Sequence, residues 1–415
     1  PPPPVAVAVA FGYLFLLDAT RYLNHFYLVL LLAALLTVVP THGAAALSGS
    51  GPPSDDRAPP GTAPRWALWL LRVQIGVPYV FGGIAKLNVD WLQGRPIGDW
   101  LAARAGDAGP SAWLAAPAAG PLFAYGGLAL DLAAPFALLH PRTRLPAFVL
   151  LTGFHLLNAQ LFSIGMFPFL MIAANTLFFP PDWPQRAWER ARAAPLFHAV
   201  AFVVGAATAQ LADPTWDLVP MVVTGVAVAL FAGTPWIRGR HADRPPIAAA
   251  AAVSLSDDGG RGRRGRAAVL TFVAAWSLFQ AAVPLRHHVL PGDVAWNEAG
   301  HRFSWRMKLR SKQGTVRFLI RSADGSSVYA HDFGERLASF QRGGVAARPY
   351  LTLAFAHHLA DRFERAGAGA VEIRAVGEVS LNGRPARPLI DPTVDLAALP
   401  RGTPSHGDWV TPSPR

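Results

Sequence analysis

Apolar residues in this chain come in long runs over the first two thirds and in short alternations after that. A bilayer-spanning helix needs about 20 mostly apolar residues. Such runs fall near 5–19, 23–39, 66–88, 112–139, 145–162, 165–180, 196–212, 217–233 and 267–285. They predict a multi-pass α-helical membrane domain over residues 1–286. Several runs are short or closely spaced, so half-spanning or re-entrant pieces are expected among them. The runs at 145–162 and 165–180 are separated only by Ser163-Ile164-Gly165, which fits a tight hairpin or a break in a buried helix. Irregular backbone at membrane depth survives only inside protein or beside a cavity.

From about residue 286 the period shortens to two. Phe303-Ser304-Trp305-Arg306-Met307-Lys308-Leu309-Arg310 alternates apolar and polar residues, and Val316 to Arg321 does so less strictly. Both stretches read as half-buried strands. Ala323-Asp324-Gly325-Ser326 reads as a turn between strands. Residues 346–366 place Leu351, Phe355, Leu359 and Phe363 four apart, which is one face of a helix. Residues 370–382 return to a strand pattern, with Asn382-Gly383 as a hairpin turn. The expectation for 287–415 is a small β-rich (α+β) soluble domain. No repeat of solenoid or propeller length is visible.

Charge adds orientation. The 415 residues are 52% hydrophobic and 15% charged, against about 25% charged in an average soluble domain. The net charge is +11. Much of the arginine sits in loops between apolar runs, which favours a membrane over nucleic acid as partner. Residues 181–195 carry Arg186, Arg190 and Arg192. Residues 236–266 carry Arg238, Arg240, Arg244, Arg261, Arg263, Arg264 and Arg266. The composition of this loop predicts disorder. The positive-inside rule places it in the cytoplasm, so the helix at 267–285 runs outward and the C-terminal domain is extracytoplasmic. Residues 40–64, rich in Gly, Pro, Ala and Ser, read as flexible. The absence of cysteine excludes disulfides, thiolate metal sites and Cys nucleophiles. The chain opens on Pro1-Pro2-Pro3-Pro4 without an initiator Met, which reads as an N-terminally truncated fragment. Its Ala, Arg, Gly and Pro content looks bacterial, which predicts an inner-membrane location.

Polar side chains inside apolar runs are the candidate chemistry. His155, Asn158 and Gln160 are costly there and default to functional or helix-bridging roles. Asp131 is an intramembrane carboxylate by the same logic, read either as acting on substrate or as paired with an Arg or a His. Lys86 closes a long apolar stretch, as a snorkelling lysine would. His287-His288 and His357-His358 are adjacent pairs, whose rings point apart on a helix or strand and lack zinc spacing. No metal is expected, and there is no phosphate loop or dinucleotide fingerprint.

Four stretches carry a resemblance. They are Arg21-Tyr22-Leu23-Asn24-His25-Phe26-Tyr27-Leu28; Phe81-Gly82-Gly83-Ile84-Ala85-Lys86-Leu87-Asn88-Val89-Asp90-Trp91; Phe154-His155-Leu156-Leu157-Asn158-Ala159-Gln160-Leu161-Phe162-Ser163-Ile164-Gly165-Met166-Phe167; and, toward the C-terminus, Phe303-Ser304-Trp305-x-Met307 with Val379-Ser380-Leu381-Asn382 and Ile390-Asp391-Pro392-x-Val394-Asp395. In this order they resemble the vitamin K-dependent gamma-glutamyl carboxylase family, with its HTTM-type membrane domain. The third run is the most specific.

The resemblance implies coupled chemistry. A reduced vitamin K or menaquinone, the hydroquinone, reacts with O2 and becomes an epoxide. The strong base made on the way removes a γ-proton from a protein Glu, and the carbanion adds CO2. No side chain removes that proton efficiently, since reference values for Asp, His and Lys reach only about 10. By transfer, Lys86 is the hydroquinone's base, with Ala85 where the family often has a second Lys. An amine kept from water suits that task. His25 joins it at the catalytic site. Asn24, His155, Asn158 and Gln160 line the quinone site. Trp305, Met307 and Arg387 hold the substrate Glu. His301 and Lys308 depart from the family near that Glu site. The implied partners are membrane lipid, quinone and a Glu-bearing protein. A non-catalytic quinone-binding or scaffold protein, with its soluble domain on a partner, is the alternative.

Overall fold

The computed structural model describes residues 3–39, 64–106, 111–162, 164–181, 183–212, 261–322, 325, 328–331 and 337–414. The expected span at 217–233, the loop expected at 40–64 except its last residue, and most of the Arg-rich loop lie outside the described residues. The chain divides into two compact units. One holds residues 1–37, 77–132 and 271–415, and the other holds 38–76 and 133–270.

The helices follow the apolar runs. They are α1 (Pro3–Leu17), α2 (Asn24–Val38), α3 (Arg65–Lys86), α4 (Val89–Leu92), α5 (Ile97–Ala102), α6 (Ala119–Leu139), α7 (Arg144–Phe162), α8 (Phe167–Asn175), α9 (Trp183–Ala193), α10 (Pro195–Ala212) and α11 (Arg261–Leu285). The stretches Arg65–Lys86, Ala119–Leu139, Arg144–Phe162 and Gly265–His288 are long and apolar enough to cross a bilayer. Large apolar side chains on α11 stay outside the packing, Leu278 with 70% of its surface exposed. Apolar surface on that scale needs lipid or protein against it. Arg261 to Arg266, expected in the loop, instead begin this helix. Residues 112–115 form a separate 3-10 turn ahead of α6, so that run is shorter than its hydropathy suggested.

In the first unit α1 packs on α2, with Phe11 edge-on to Phe26 at 5.9 Å. The turn between them docks on the C-terminal part. Asp18 accepts from Thr20 N at 2.8 Å and from Gln341 Nε2 at 3.3 Å. Arg348 donates to Thr20 O at 3.1 Å.

The second unit contains a hairpin. Helix α7 ends at Phe162 and α8 starts at Phe167, with Gly165 left-handed at φ 60° between them. His155 lies 6.2 Å from Phe167, and Phe148 lies 5.1 Å from Phe179. That pairing is antiparallel, so the join is a tight hairpin and not a broken helix. Arg72 steadies the far end of the α8 arm by donating to Leu177 O at 2.8 Å and Phe179 O at 3.1 Å.

The C-terminal part is a sheet-and-helix core. Strands β1 (Lys312–Gly314), β2 (Arg317–Ser322), β3 (Val328–His331), β4 (Val371–Val376), β5 (Glu378–Leu381) and β6 (Arg387–Pro388) form two antiparallel sheets, ordered β1-β5-β6 and β3-β2-β4. Phe318 and Ile320 of β2 and Ile373 and Ala375 of β4 face the core, as alternation requires. Helices α12 (Val294–Asn297), α13 (Ser339–Ala347) and α14 (Pro349–Arg365) complete it. Leu351 and Leu359 of α14 are buried, and Phe355 and Phe363 flank them on the same face. The predicted 346–366 helix starts at Pro349, because the proline favours a first helical turn and Arg348 before it is extended.

The strand expected at Phe303–Arg310 does not form. Residues 301–305 are turns, and Phe303, Trp305 and Lys308 are left-handed at φ 63°, 55° and 52°. Non-glycine residues in that region cost about 1–3 kcal/mol each and persist only where the surroundings over-determine them. Here Phe303 N donates to Tyr22 Oη at 2.6 Å, Ser304 Oγ donates to Gly300 O at 2.5 Å, and the Arg286 guanidinium donates to Arg302 O.

Candidate functional site

The site starts from two glycines. A Cβ on Gly83 would lie 2.6 Å from Leu132 Cδ2 and 3.3 Å from Leu132 N, so only glycine lets α3 approach α6 this closely. A Cβ on Gly82 would lie 3.3 Å from Asp131 Oδ2, 3.5 Å from Met307 Cε and 3.9 Å from Trp305 O. The same point therefore borders a carboxylate of α6 and two residues of the left-handed loop.

Lys86 ends α3 and is 7% exposed. Its Nζ forms an ion pair with Asp131 Oδ2 and lies 3.5 Å from Gly82 O. The Trp91 ring sits 5.2 Å from it, in cation–π range. Asn88 caps the turn that makes this possible. Its Oδ1 accepts from Trp91 N at 3.0 Å and its Nδ2 donates to Ala85 O at 2.8 Å. Trp91 Nε1 then donates to Ala124 O at 2.8 Å. Lys86 is not a snorkelling lysine in this structure, since its head meets a carboxylate inside protein. Asp131 pairs with this Lys, where an Arg or a His was expected.

The neighbouring Asp90 is 1% exposed and faces the C-terminal part. Arg384 grips it with both guanidinium nitrogens, at 2.5 and 3.0 Å, and Asn382 Nδ2 donates to it at 2.7 Å. Asn382 and Gly383 are left-handed at φ 52° and 75°, and Arg384 N donates to Leu381 O at 3.1 Å. This is the predicted Asn-Gly hairpin turn, and its mirror-type geometry aims Asn382 and Arg384 at one carboxylate.

Trp305 is fully buried, with its ring 5.1 Å from Tyr27 on α2. Its indole Nε1–H has no hydrogen-bond partner among the described residues. A buried donor left open is rare in a folded protein and points to a ligand or ordered water. Asn24, at the start of α2, accepts from Tyr22 Oη at 3.0 Å, and Tyr22 accepts in turn from Phe303 N. Contacts thus join Asn24, Tyr22, Phe303, Tyr27, Trp305, Met307, Gly82, Lys86 and Asp131.

Family models match in two blocks. The HTTM domain matches residues 4–183, and the vitamin K-dependent gamma-carboxylase lumenal domain matches residues 265–415. The chain belongs to the vitamin K-dependent gamma-carboxylase family. No solved structure matches it. The family's lumenal domain and the apolar helices make this carboxylase-family chain a membrane protein with an extracytoplasmic C-terminal part.

The remaining sequence-chosen residues are placed as follows. His25 begins α2 beside Asn24, half-buried, with its ring 4.6 Å from Phe26. His155 on α7 is buried, and Asn158 and Gln160 on the same helix are half-buried. These three belong to the second unit. Arg387 is exposed on β6, paired opposite Val379. The arginine that meets a buried carboxylate is Arg384. Lys308 is exposed, with its Nζ 5.4 Å from the Trp100 ring. His287 and His288 stack with ring centroids 4.1 Å apart, because a 3-10 turn replaces the helix or strand geometry that would separate them. Among the described residues no group of three or more His, Asp and Glu could hold a metal ion.

His301 belongs to a buried polar cluster behind the loop. Glu298 takes Arg310 at 2.7 Å and Lys312 at 3.5 Å, and Lys312 Nζ donates to Trp296 O at 2.6 Å. Burial, with Arg310 nearby, holds the His301 imidazole well below its ordinary range. Burial also pushes the Lys312 ammonium down from 10.5 to about 8, against the pull of Glu298. Between those two values the unfolded chain binds more protons than the folded one, so this group adds stability as pH rises from about 8 toward 10.5. The melting midpoint of the detergent-solubilised protein should climb across that window relative to Lys312→Met. Parallel pH profiles for the two proteins would show that Lys312 titrates normally.

Proposed function

We propose that this chain is a hydroquinone epoxidase that acts on vitamin K or menaquinone and carboxylates protein Glu with CO2. We take residues 1–286 as its membrane domain and 287–415 as its substrate-facing domain. The observation that carries the reading is the shared edge at Gly82, where the Lys86–Asp131 pair meets Trp305 and Met307. The open Trp305 N–H and the slim glycine floor fit a ligand oxygen and a flat ring. A hydroquinone bound there and oxidised by O2 supplies the base that Glu chemistry needs.

The chain's own residues do the rest. Lys86 accepts the hydroxyl proton through Nζ. Asp131, in contact with Nζ, fixes the amine's direction. Asn24 and His25 supply hydrogen bonds at the start of α2, and His155, Asn158 and Gln160 line the quinone's path. Trp305 donates its indole N–H to the substrate Glu carboxylate. Met307 and Tyr27 keep water from the reacting carbon, and Arg387 steers acidic substrate from the exposed edge.

The test uses purified protein with reduced menaquinone or vitamin K, O2, labelled CO2 and a Glu-bearing peptide. Epoxide and incorporated label are read in the same tube. Wild type should form epoxide. Carboxylation of peptides with animal-type leader segments should be weak, because His301 and Lys308 alter the family's Glu region. Trp305→Phe keeps the ring and removes the donor, so it should lose label while retaining epoxide. Equal loss of both products, or of neither, would remove Trp305 from its role, and no epoxide from wild type would sink the reading as a whole.

A further inference from the structure

The second compact unit carries arginine at the start of α3, at the start of α7 and along α9, and gives it little acid. Glu189 is the one acidic side chain among the described residues of that unit. Two of these arginines are fixed by backbone. Arg72, about two turns into α3, donates through Nε and Nη2 to the carbonyls that end the α8 arm. Arg144 opens α7 and donates through Nε and Nη2 to Leu138 O and Leu139 O, both at 3.0 Å. Each fork therefore keeps the two N–H groups of Nη1. Carbonyls orient a guanidinium without cancelling its charge, and neither arginine forms an ion pair among the described residues. The two stand together. Phe148, one turn beyond Arg144, packs at 5.1 Å on Phe179, whose carbonyl Arg72 holds, and each guanidinium lies within range of the other's charge.

We propose that Arg72 and Arg144 form a headgroup site for an anionic phospholipid. Two like charges side by side are relieved by an anion between them, and a phosphate diester offers the paired oxygens that guanidinium forks match. The surroundings are those of a lipid. Helix α3 is long and apolar enough to cross a bilayer, and its Trp69 and Val73, each 45% exposed, give an acyl chain a surface beside Arg72. The Trp69 ring lies 5.6 Å from the Arg72 guanidinium, and Trp183 lies 6.3 Å from Phe179, so tryptophan marks this level as it marks membrane interfaces. A choline or ethanolamine headgroup would bring a cation into a region short of carboxylates, which selects for net negative lipid. The positive-inside rule puts this end in the cytoplasmic leaflet, where basic pockets between membrane helices take anionic headgroups. A lipid seated there ties α3, α7 and the end of the α8 arm together. The site is independent of the carboxylase reading and needs no turnover.

The experiment places the full chain in nanodiscs of equal phosphatidylcholine and phosphatidylglycerol, then releases it into mild detergent for native mass spectrometry. Wild type should retain phosphatidylglycerol about tenfold over phosphatidylcholine. Arg72→Gln and Arg144→Gln should each bring that ratio close to one. The double variant Arg72→Lys with Arg144→Lys keeps charged donors for the carbonyls, so it reads the site even where the Gln variants do not fold. It should lose most of the ratio, because an ammonium lacks the planar fork. Arg65→Gln, at the exposed start of the same helix, should leave the ratio unchanged. Excess inorganic phosphate should not displace the lipid. Equal retention of the two lipids by wild type would overturn the proposal, and so would an unchanged ratio in the double Lys variant. An equal drop in Arg65→Gln would assign the preference to diffuse charge, and displacement by phosphate would make this a site for a free anion; either result rejects the headgroup site.

Discussion

Lys86→Ala should lower epoxide formation by about 10²–10⁴-fold, the usual contribution of a positioned base. A small amine added to the buffer should restore part of the rate, since the truncated side chain leaves room beside Gly82 and Gly127. The variant also leaves Asp131 buried without its cation. Removing one partner of a buried pair costs about 3–5 kcal/mol, whereas replacing both by apolar residues of similar volume is often neutral. The decisive comparison is therefore Lys86→Met with Asp131→Leu. The double variant should melt near wild type and make no epoxide, while each single variant should melt lower. Wild-type rates in the double variant would remove both residues from the chemistry. A double variant as unstable as the sum of the singles would show that the two side chains are not coupled.

Arg384→Ala should cost about 3–5 kcal/mol, a large share of what holds a domain together. Asp90 is almost fully enclosed, and the bond from Asn382 would remain. Asp90→Asn should be milder, because an amide can still face Arg384 without a buried charge. In the double variant Asp90→Ala with Arg384→Ala, most of the loss should return. Denaturant unfolding in detergent gives the coupling energy of this cycle. Additive losses would mean that the grip is a passive contact.

Much of this was legible in the chain. The helix runs, the α14 face, the β4 and β5 strands and the Asn382-Gly383 turn all follow from local periodicity and turn chemistry. The segment around Lys86 was legible as a motif. Its partner was not. Nothing local to Asp131 says that Gly83 and Leu132 let the two helices close until lysine and aspartate touch. The pairing is a long-range event, and a periodicity argument sees one element at a time. Phe303 to Arg310 misled for a different reason. Its alternation of apolar and polar residues is real, but three left-handed residues turn the backbone where a strand would run straight. The hydrogen bonds that hold that shape come from Tyr22, far away in sequence, and from Arg286, outside the stretch that alternates. Arg387 was singled out by resemblance alone, and Arg384 carried no signal of its own in the sequence. Only the turn's geometry decides which one reaches Asp90.

Gly82 also bears on how such proteins can be recombined. The membrane and lumenal segments are separate modules in sequence, and they meet at this residue with no side chain between them. A chimera that grafts a foreign lumenal half onto this membrane half inherits a fixed clearance. It fits only if the incoming loop brings a side chain as slim and pliant as Met307 to that spot. Exchange of halves between relatives is thus constrained at this contact as well as at Asp90 with Arg384, and changes at positions 82, 131 and 307 are expected to be inherited together.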